Sequence, residues 1–137
     1  MAQHQYVEMV TATPDALQGV RRNVAKYLAG HLAGAALVSV TGDVLLVVQE
    51  LLSNVYKHVA CHEAEIRLVP QDAAFHVCVS DQSWDLPSVR EPDWDSTDGR
   101  GMFLISQIDP DWQTTITGTG KKISCTVRVP GAPPSLR

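Results

Sequence analysis

The fold is decided by Asp43-Val-Leu-Leu-Val-Val-Gln-Glu-Leu-Leu-Ser-Asn-Val-Tyr-Lys-His58. Leu45, Val48, Leu52, Val55 and Val59 recur at alternating three- and four-residue steps, the period of one helix face. Val44, Leu46, Val47 and Leu51 widen that surface nearly all round the first half, which predicts a buried helix. Asp43, following Thr41-Gly42, is placed to cap its start, and the helix should end near Cys61. Glu50 and Asn54 stand four residues apart on another face, and His58 continues their stripe. A carboxylate and an amide on a buried helix need partners, because unpaired burial is costly. Neighbouring backbone, a ligand or a metal ion would each satisfy that need.

Outward from this helix the chain reads as short alternating elements. Gln5 to Thr11 has the look of a first strand. Thr13-Pro14-Asp15 is a helix-start signal, and Leu17, Val20, Val24, Tyr27 and Leu28 follow at helical spacing. Gly30 to Gly34 loosens the chain before the second helix. Glu65 to Val69 and Phe75 to Asp81 alternate in polarity around a turn at Pro70-Gln-Asp72, which predicts a β-hairpin. Ser80 to Asp98 has no periodicity. It holds Pro87, Arg90, Pro92 and the acids Glu91, Asp93, Asp95 and Asp98, and a loop of this length reads as a lid. Met102 to Ile108 is a third helix. Trp112, Thr114 and Ile116 mark one strand, and Ile123, Cys125, Val127 and Val129 the next. The expectation is an α/β two-layer sandwich, with three helices on one face of a mixed, mostly antiparallel sheet. Residues 1–130 form one domain and 131–137 a disordered tail.

Bulk composition narrows the function classes. At 137 residues and 45% apolar content, the chain is long enough for one domain with a real core. A formal charge of −4 argues against a direct nucleic-acid surface. No apolar run of membrane-spanning length is read, so no membrane partner is expected. Met-Ala-Gln-His-Gln-Tyr carries no export signal, which points to the cytoplasm. Cys61, Cys78 and Cys125 are too few and scattered for a disulfide framework. Cys61 reads as a small buried thiol at a helix end. His58-Val-Ala-Cys61-His62 lacks a second paired-ligand motif, so no metal cluster is expected there.

Three further features carry chemistry. Asp81 ends an alternating strand, where a carboxylate can accept from an amino group or simply start a turn. Gly99-Arg100-Gly101 opens a helix beginning at Met102, and free amides at a helix start favour anions. Gly118-Thr119-Gly120 precedes the last strand and reads equally well as a hairpin turn; Lys121 and Lys122 after it read as solvated.

Taken in order, Glu-Leu-Leu-Ser-Asn-x-x-Lys-His, the strand-end Asp81 and the two glycine turns resemble the ATP-binding domain of the gyrase, histidine kinase and MutL superfamily. Within it the chain looks most like the small anti-sigma-factor kinases and their actinobacterial relatives, over roughly Asp15 to Pro130. The resemblance implies a Bergerat-type ATP-binding fold with ATP held between the helices and the lid. It implies Asn54 as the Mg²⁺ ligand, Glu50 as catalytic base and Asp81 as the acceptor for the adenine amino group. Gly99, Arg100, Gly101 and Met102 would border the phosphates, with His58, Asp85 and Thr119 at the edges of the nucleotide site. A sigma factor and a phosphorylatable antagonist protein are the implied partners. The first strand and first helix are implied surfaces for partners or for a homodimer.

One motif departs from the pattern. The family's strand-end motif reads Asp-x-Gly-x-Gly, whereas here Asp81-Gln-Ser83-Trp-Asp85 has neither glycine. Glycine there allows backbone to approach a ligand closely, and Asp85 adds charge that opposes a triphosphate. Two functions follow: a serine/threonine protein kinase of the anti-sigma type, or a binding module of the same fold without catalysis.

Overall fold

The computed structural model describes residues 4–86 and 100–131. The lid reading from Pro87 through Arg90 and the acids to Asp98, the proposed anion ligand Gly99, and the tail beyond Gly131 lie outside the described residues. Along the chain run β1 (Tyr6–Thr11), α1 (Pro14–Ala29), α2 (Gly34–His58), β2 (Glu63–Gln71), β3 (Ala74–Asp81), α3 (Gly101–Ile108), β4 (Gln113–Ile116) and β5 (Lys121–Arg128). The strands form one five-stranded sheet in the order β1-β2-β3-β5-β4. Every pairing in it is antiparallel, so the expected mixed sheet is corrected to a purely antiparallel one.

The two-layer α/β sandwich stands. Period-two alternation puts Ala64, Ile66 and Leu68 of β2, Phe75, Val77 and Val79 of β3, and Ile123, Cys125 and Val127 of β5 on one buried face. These pair in rows across the sheet: Phe75 with Val127, Val77 with Cys125, Val79 with Ile123. The helices lie on that face, and α2 packs against β2, β3 and β5 while touching α1 and α3 on its flanks. Val40, Val44, Val47, Val48, Leu51, Leu52 and Val55 are its buried side chains.

Four readings of the sequence are corrected. Helix α2 starts at Gly34 rather than Asp43. Leu37 and Val40 extend the same apolar period backward, and the chain break is at Gly34, whose φ of +63° glycine adopts without strain. Asp43 is therefore an interior residue of the helix, not its cap. The longer helix also supplies an apolar stretch of membrane-spanning length that was not expected; its buried valines and leucines are spent on the core. Third, the hairpin turn is tighter than expected. Pro70 lies inside β2, beyond Leu68 where pairing to β1 has ended, so its missing N–H breaks no ladder on that side. The turn itself is Asp72-Ala73, with Asp72 at φ 56°. Fourth, Cys61 is exposed, and its Sγ lies 3.0 Å from Gln82 Oε1. Cys78 and Cys125 are buried, and burial, with Asp109, Asp43 and Cys78 adding to it, pushes the Cys125 thiol up to about 12.

Candidate nucleotide site

The stripe on α2 meets the start of α3. Gly101 is the first residue of α3, and it lies directly over Glu50 and Asn54. A Cβ built on Gly101 would stand 3.1 Å from Glu50 Oε1 and 3.7 Å from Asn54 Oδ1. The absence of a side chain is what lets the helix start approach the carboxylate and the amide this closely. Met102, one residue on, is buried, and its sulfur accepts from Asn54 Nδ2 at 3.4 Å. That contact spends the amide's donor side on α3 and leaves Oδ1 on the side of Gly101. An amide oxygen turned that way suits a hard cation, which takes few protein ligands beside phosphate oxygens. The donor set at this end therefore fits Mg²⁺.

Arg100 occupies the N-cap position of α3 in αR conformation, without a side-chain cap. The first turn of a helix favours an anion through its amides and its dipole. His58 continues the Glu50–Asn54 stripe but is exposed at the last turn of α2. The structure thus brings together Glu50, Asn54, Gly101 and Met102, with Arg100 adjoining, and leaves His58 at the rim.

Asp81 sits at the other end of the inward rows. One step beyond Val79 and Ile123, the next pair on the buried face is Asp81 with Lys121. Lys121 Nζ lies 3.0 Å from Asp81 Oδ1, with side-chain exposures of 7% and 4%. The same Oδ1 accepts from the Ser83 N–H at 2.8 Å, and Lys121 Nζ is 3.4 Å from the Ser83 carbonyl oxygen. Lys121 was expected in solvent; the strand register turns it inward instead. Gly120 closes this corner. A Cβ there would fall 2.0 Å from the Asp81 carbonyl oxygen and 2.7 Å from Gln82 Cα, so no other residue fits. The turn is held by Thr117, whose Oγ1 accepts from Gly120 N–H at 3.0 Å. Thr119 and Asp85 are exposed beside it, and the Asp85 N–H reaches Ser83 Oγ at 3.1 Å.

Glu50 also lines a cavity of about 180 Å³. Val10, Ala12, Pro14 and Leu17 bound it on one side and Leu52, Ser53 and Tyr56 on the other. Sequence reading missed the cavity, because its walls join the β1–α1 segment to the far half of α2, well separated in the chain. It also missed Lys121 and Gly120; the signal available was a Lys opening one strand opposite an Asp closing another.

The comparisons with known proteins agree with the fold. The family described as a histidine kinase-like ATPase domain matches residues 10–127. No curated protein matches the chain. Among solved structures, the chain is similar to the crystal structure of the RsbU and RsbW domains of Rv1364c from Mycobacterium tuberculosis, at 15% identity and a TM-score of 0.69. That match covers 98% of this chain and 35% of the other, so this chain spans about a third of its neighbour's length.

Proposed function

We propose that this chain, which belongs to the histidine kinase-like ATPase domain family, binds Mg-ATP and transfers phosphate to a serine or threonine hydroxyl of a partner protein. The observation that carries the reading is the seat of Gly101 against Glu50 and Asn54. It sets a helix start, a carboxylate and an amide oxygen around one small space. Bound Mg²⁺ would neutralise charge on the phosphates and hold them for in-line attack. Asn54 Oδ1 would hold the ion. The α3 amides at Gly101 and Met102 would face phosphate oxygens, and Arg100 would add positive charge. Glu50 would accept the proton of the attacking hydroxyl, the role carboxylates fill in phosphoryl transfer.

The finer reading is an anti-sigma-factor kinase that exchanges a sigma factor for a phosphorylatable antagonist. It rests on the resemblance of the helix motif to those kinases and on the fold shared with a structure containing an RsbW domain. A second reading, a binding module without catalysis, is favoured by one observation: Asp81, the expected adenine acceptor, is already paired with Lys121.

Calorimetric titration of Mg-ATP into wild type and Asn54→Ala tests the proposal. Saturable binding that Asn54→Ala loses supports it. A folded wild type that binds no Mg-ATP at millimolar concentration overturns it and leaves the binding module.

A further inference from the structure

Glu50 stands on α2 between two neighbours that face different ways. Successive helical residues turn by about 100°, so Ser53 lies about 60° to one side of Glu50 and Asn54 about 40° to the other. Asn54 faces the start of α3, where its amide meets the Met102 sulfur. Ser53 lines the cavity against β1 and α1. Glu50 lines that cavity too, yet its Oε1 is 3.1 Å from where a Cβ on Gly101 would stand. The candidate base therefore borders both spaces, and the Gly101 face is the one that suits phosphate.

The volume of the cavity, about 180 Å³, decides what it holds. Sites for drug-sized ligands run from about 300 Å³ upward, whereas an apolar cavity of about 150 Å³ accepts a benzene ring. The space thus suits one side chain rather than a nucleotide or a free cofactor. Val10, Ala12, Leu17 and Leu52 make its wall apolar. Among the described residues no lysine or arginine lines it, and the Glu50 carboxylate opposes an acidic guest. Pro14 and Tyr56 are exposed, so its mouth lies at the surface.

A hydroxyl that Glu50 deprotonates must come within about 3 Å of the carboxylate. In the transfer the acceptor oxygen bonds the γ-phosphorus, the bond to ADP breaks, and the hydroxyl proton passes to Glu50. Consecutive Cα atoms are about 3.8 Å apart, so residues next to the acceptor are carried to the walls around Glu50. We propose that the cavity between β1–α1 and α2 seats one apolar side chain of the acceptor protein, leucine to phenylalanine in size, one or two positions from the phosphorylated serine or threonine. This rests on the kinase reading above and deepens it. The cavity then supplies acceptor selectivity and registers the hydroxyl on Glu50.

The test is a positional library of short peptides with a central serine or threonine, phosphorylated by radiolabelled Mg-ATP. Each flanking position is fixed in turn as leucine, phenylalanine, tryptophan, glycine, aspartate or lysine. Wild type should favour leucine or phenylalanine over glycine at one position within two of the acceptor, by about tenfold or more. Ala16 is on the cavity wall in the first turn of α1. Ala16→Leu keeps a good helix former and fills the space, so it should erase that preference. Leu17→Ala enlarges the space and should shift the preference toward tryptophan; it serves if Ala16→Leu fails to fold. Mg-ATP affinity, read by calorimetry, should match wild type in both variants. A library with no apolar preference overturns the proposal, as does a charged residue favoured at that position, or an apolar preference that neither variant changes. Wild type that binds Mg-ATP and phosphorylates no peptide overturns it too. In each of these cases Mg-ATP binding that needs Asn54 leaves the nucleotide reading standing. If folded wild type binds no Mg-ATP, both fall.

Discussion

Lys121 Nζ stands 3.0 Å from Asp81 Oδ1, and the two side chains are almost wholly buried. Removing one partner of such a pair leaves an uncompensated charge in the interior. Asp81→Asn should therefore lower stability by about 3–5 kcal/mol. Asp81→Asn combined with Lys121→Met should recover most of that loss. Urea denaturation of the two single variants and the double variant measures the coupling directly. Additive losses would contradict a functioning pair.

Two glycines in one turn should behave oppositely. Gly120→Ala forces a methyl into the Asp81 carbonyl, at a built separation of 2.0 Å, while Gly118→Ala meets nothing within 4 Å. Overpacking of the first kind costs about 1–3 kcal/mol or more, whereas exposed substitutions generally stay within about 0.5 kcal/mol. Thermal melts of the two proteins give the contrast.

Gly101→Ala separates binding from stability. Alanine favours a helix over glycine by about 1 kcal/mol, so α3 should not suffer. Its methyl would press on Glu50 Oε1 at 3.1 Å and crowd Asn54 Oδ1. The expected outcome is a melting temperature near wild type with Mg-ATP affinity lowered about tenfold or more. Calorimetry and a thermal melt on one sample check both halves.

Glu50→Gln keeps the shape of the side chain and removes its basicity. Loss of a general base lowers turnover by about 10²–10⁴-fold, while nucleotide affinity should hold. Phosphate release from Mg-ATP, measured beside binding, distinguishes the two effects.

Thiol reactivity should sort by burial and thiolate character. Cys61 is exposed, Cys78 is buried, and the buried Cys125 thiol is pushed up to about 12. At pH 8 the native protein should therefore titrate one fast thiol with an aromatic disulfide reagent, lost in Cys61→Ser. Because the folded state holds the Cys125 proton more tightly, stability should fall as pH rises above the ordinary thiol range. A denaturation series from pH 8 to pH 11 reads that slope.

Much of the fold was legible because its signals are periodic. The three-four spacing from Leu45 to Val59 marked α2, and alternation from Phe75 to Val79 marked β3. The start of α2 was misread because Thr41-Gly42-Asp43 carries the residue types of a cap. Gly42 is exposed in the helix, where nothing lies within 4 Å of a built Cβ; a glycine with no packing role there looks the same in sequence as one that ends a helix. At the site, Glu50 and Asn54 were legible from a four-residue step along one helix. Their contact with Gly101 crosses from α2 to α3, and the covering of Asp81 by Lys121 depends on the register of two strands forty residues apart. Neither distance is encoded in local pattern; both arise from how the sheet pairs and where α3 lands.

The most direct test of the central claim is an amide shift map of the ¹⁵N-labelled protein titrated with Mg-ATP. The account predicts the largest shifts at Gly101 and Met102 and at the Asn54 side-chain amide, all lost in Asn54→Ala. Shifts confined to the cavity between α1 and α2, with Gly101, Met102 and Asn54 unmoved, would contradict it.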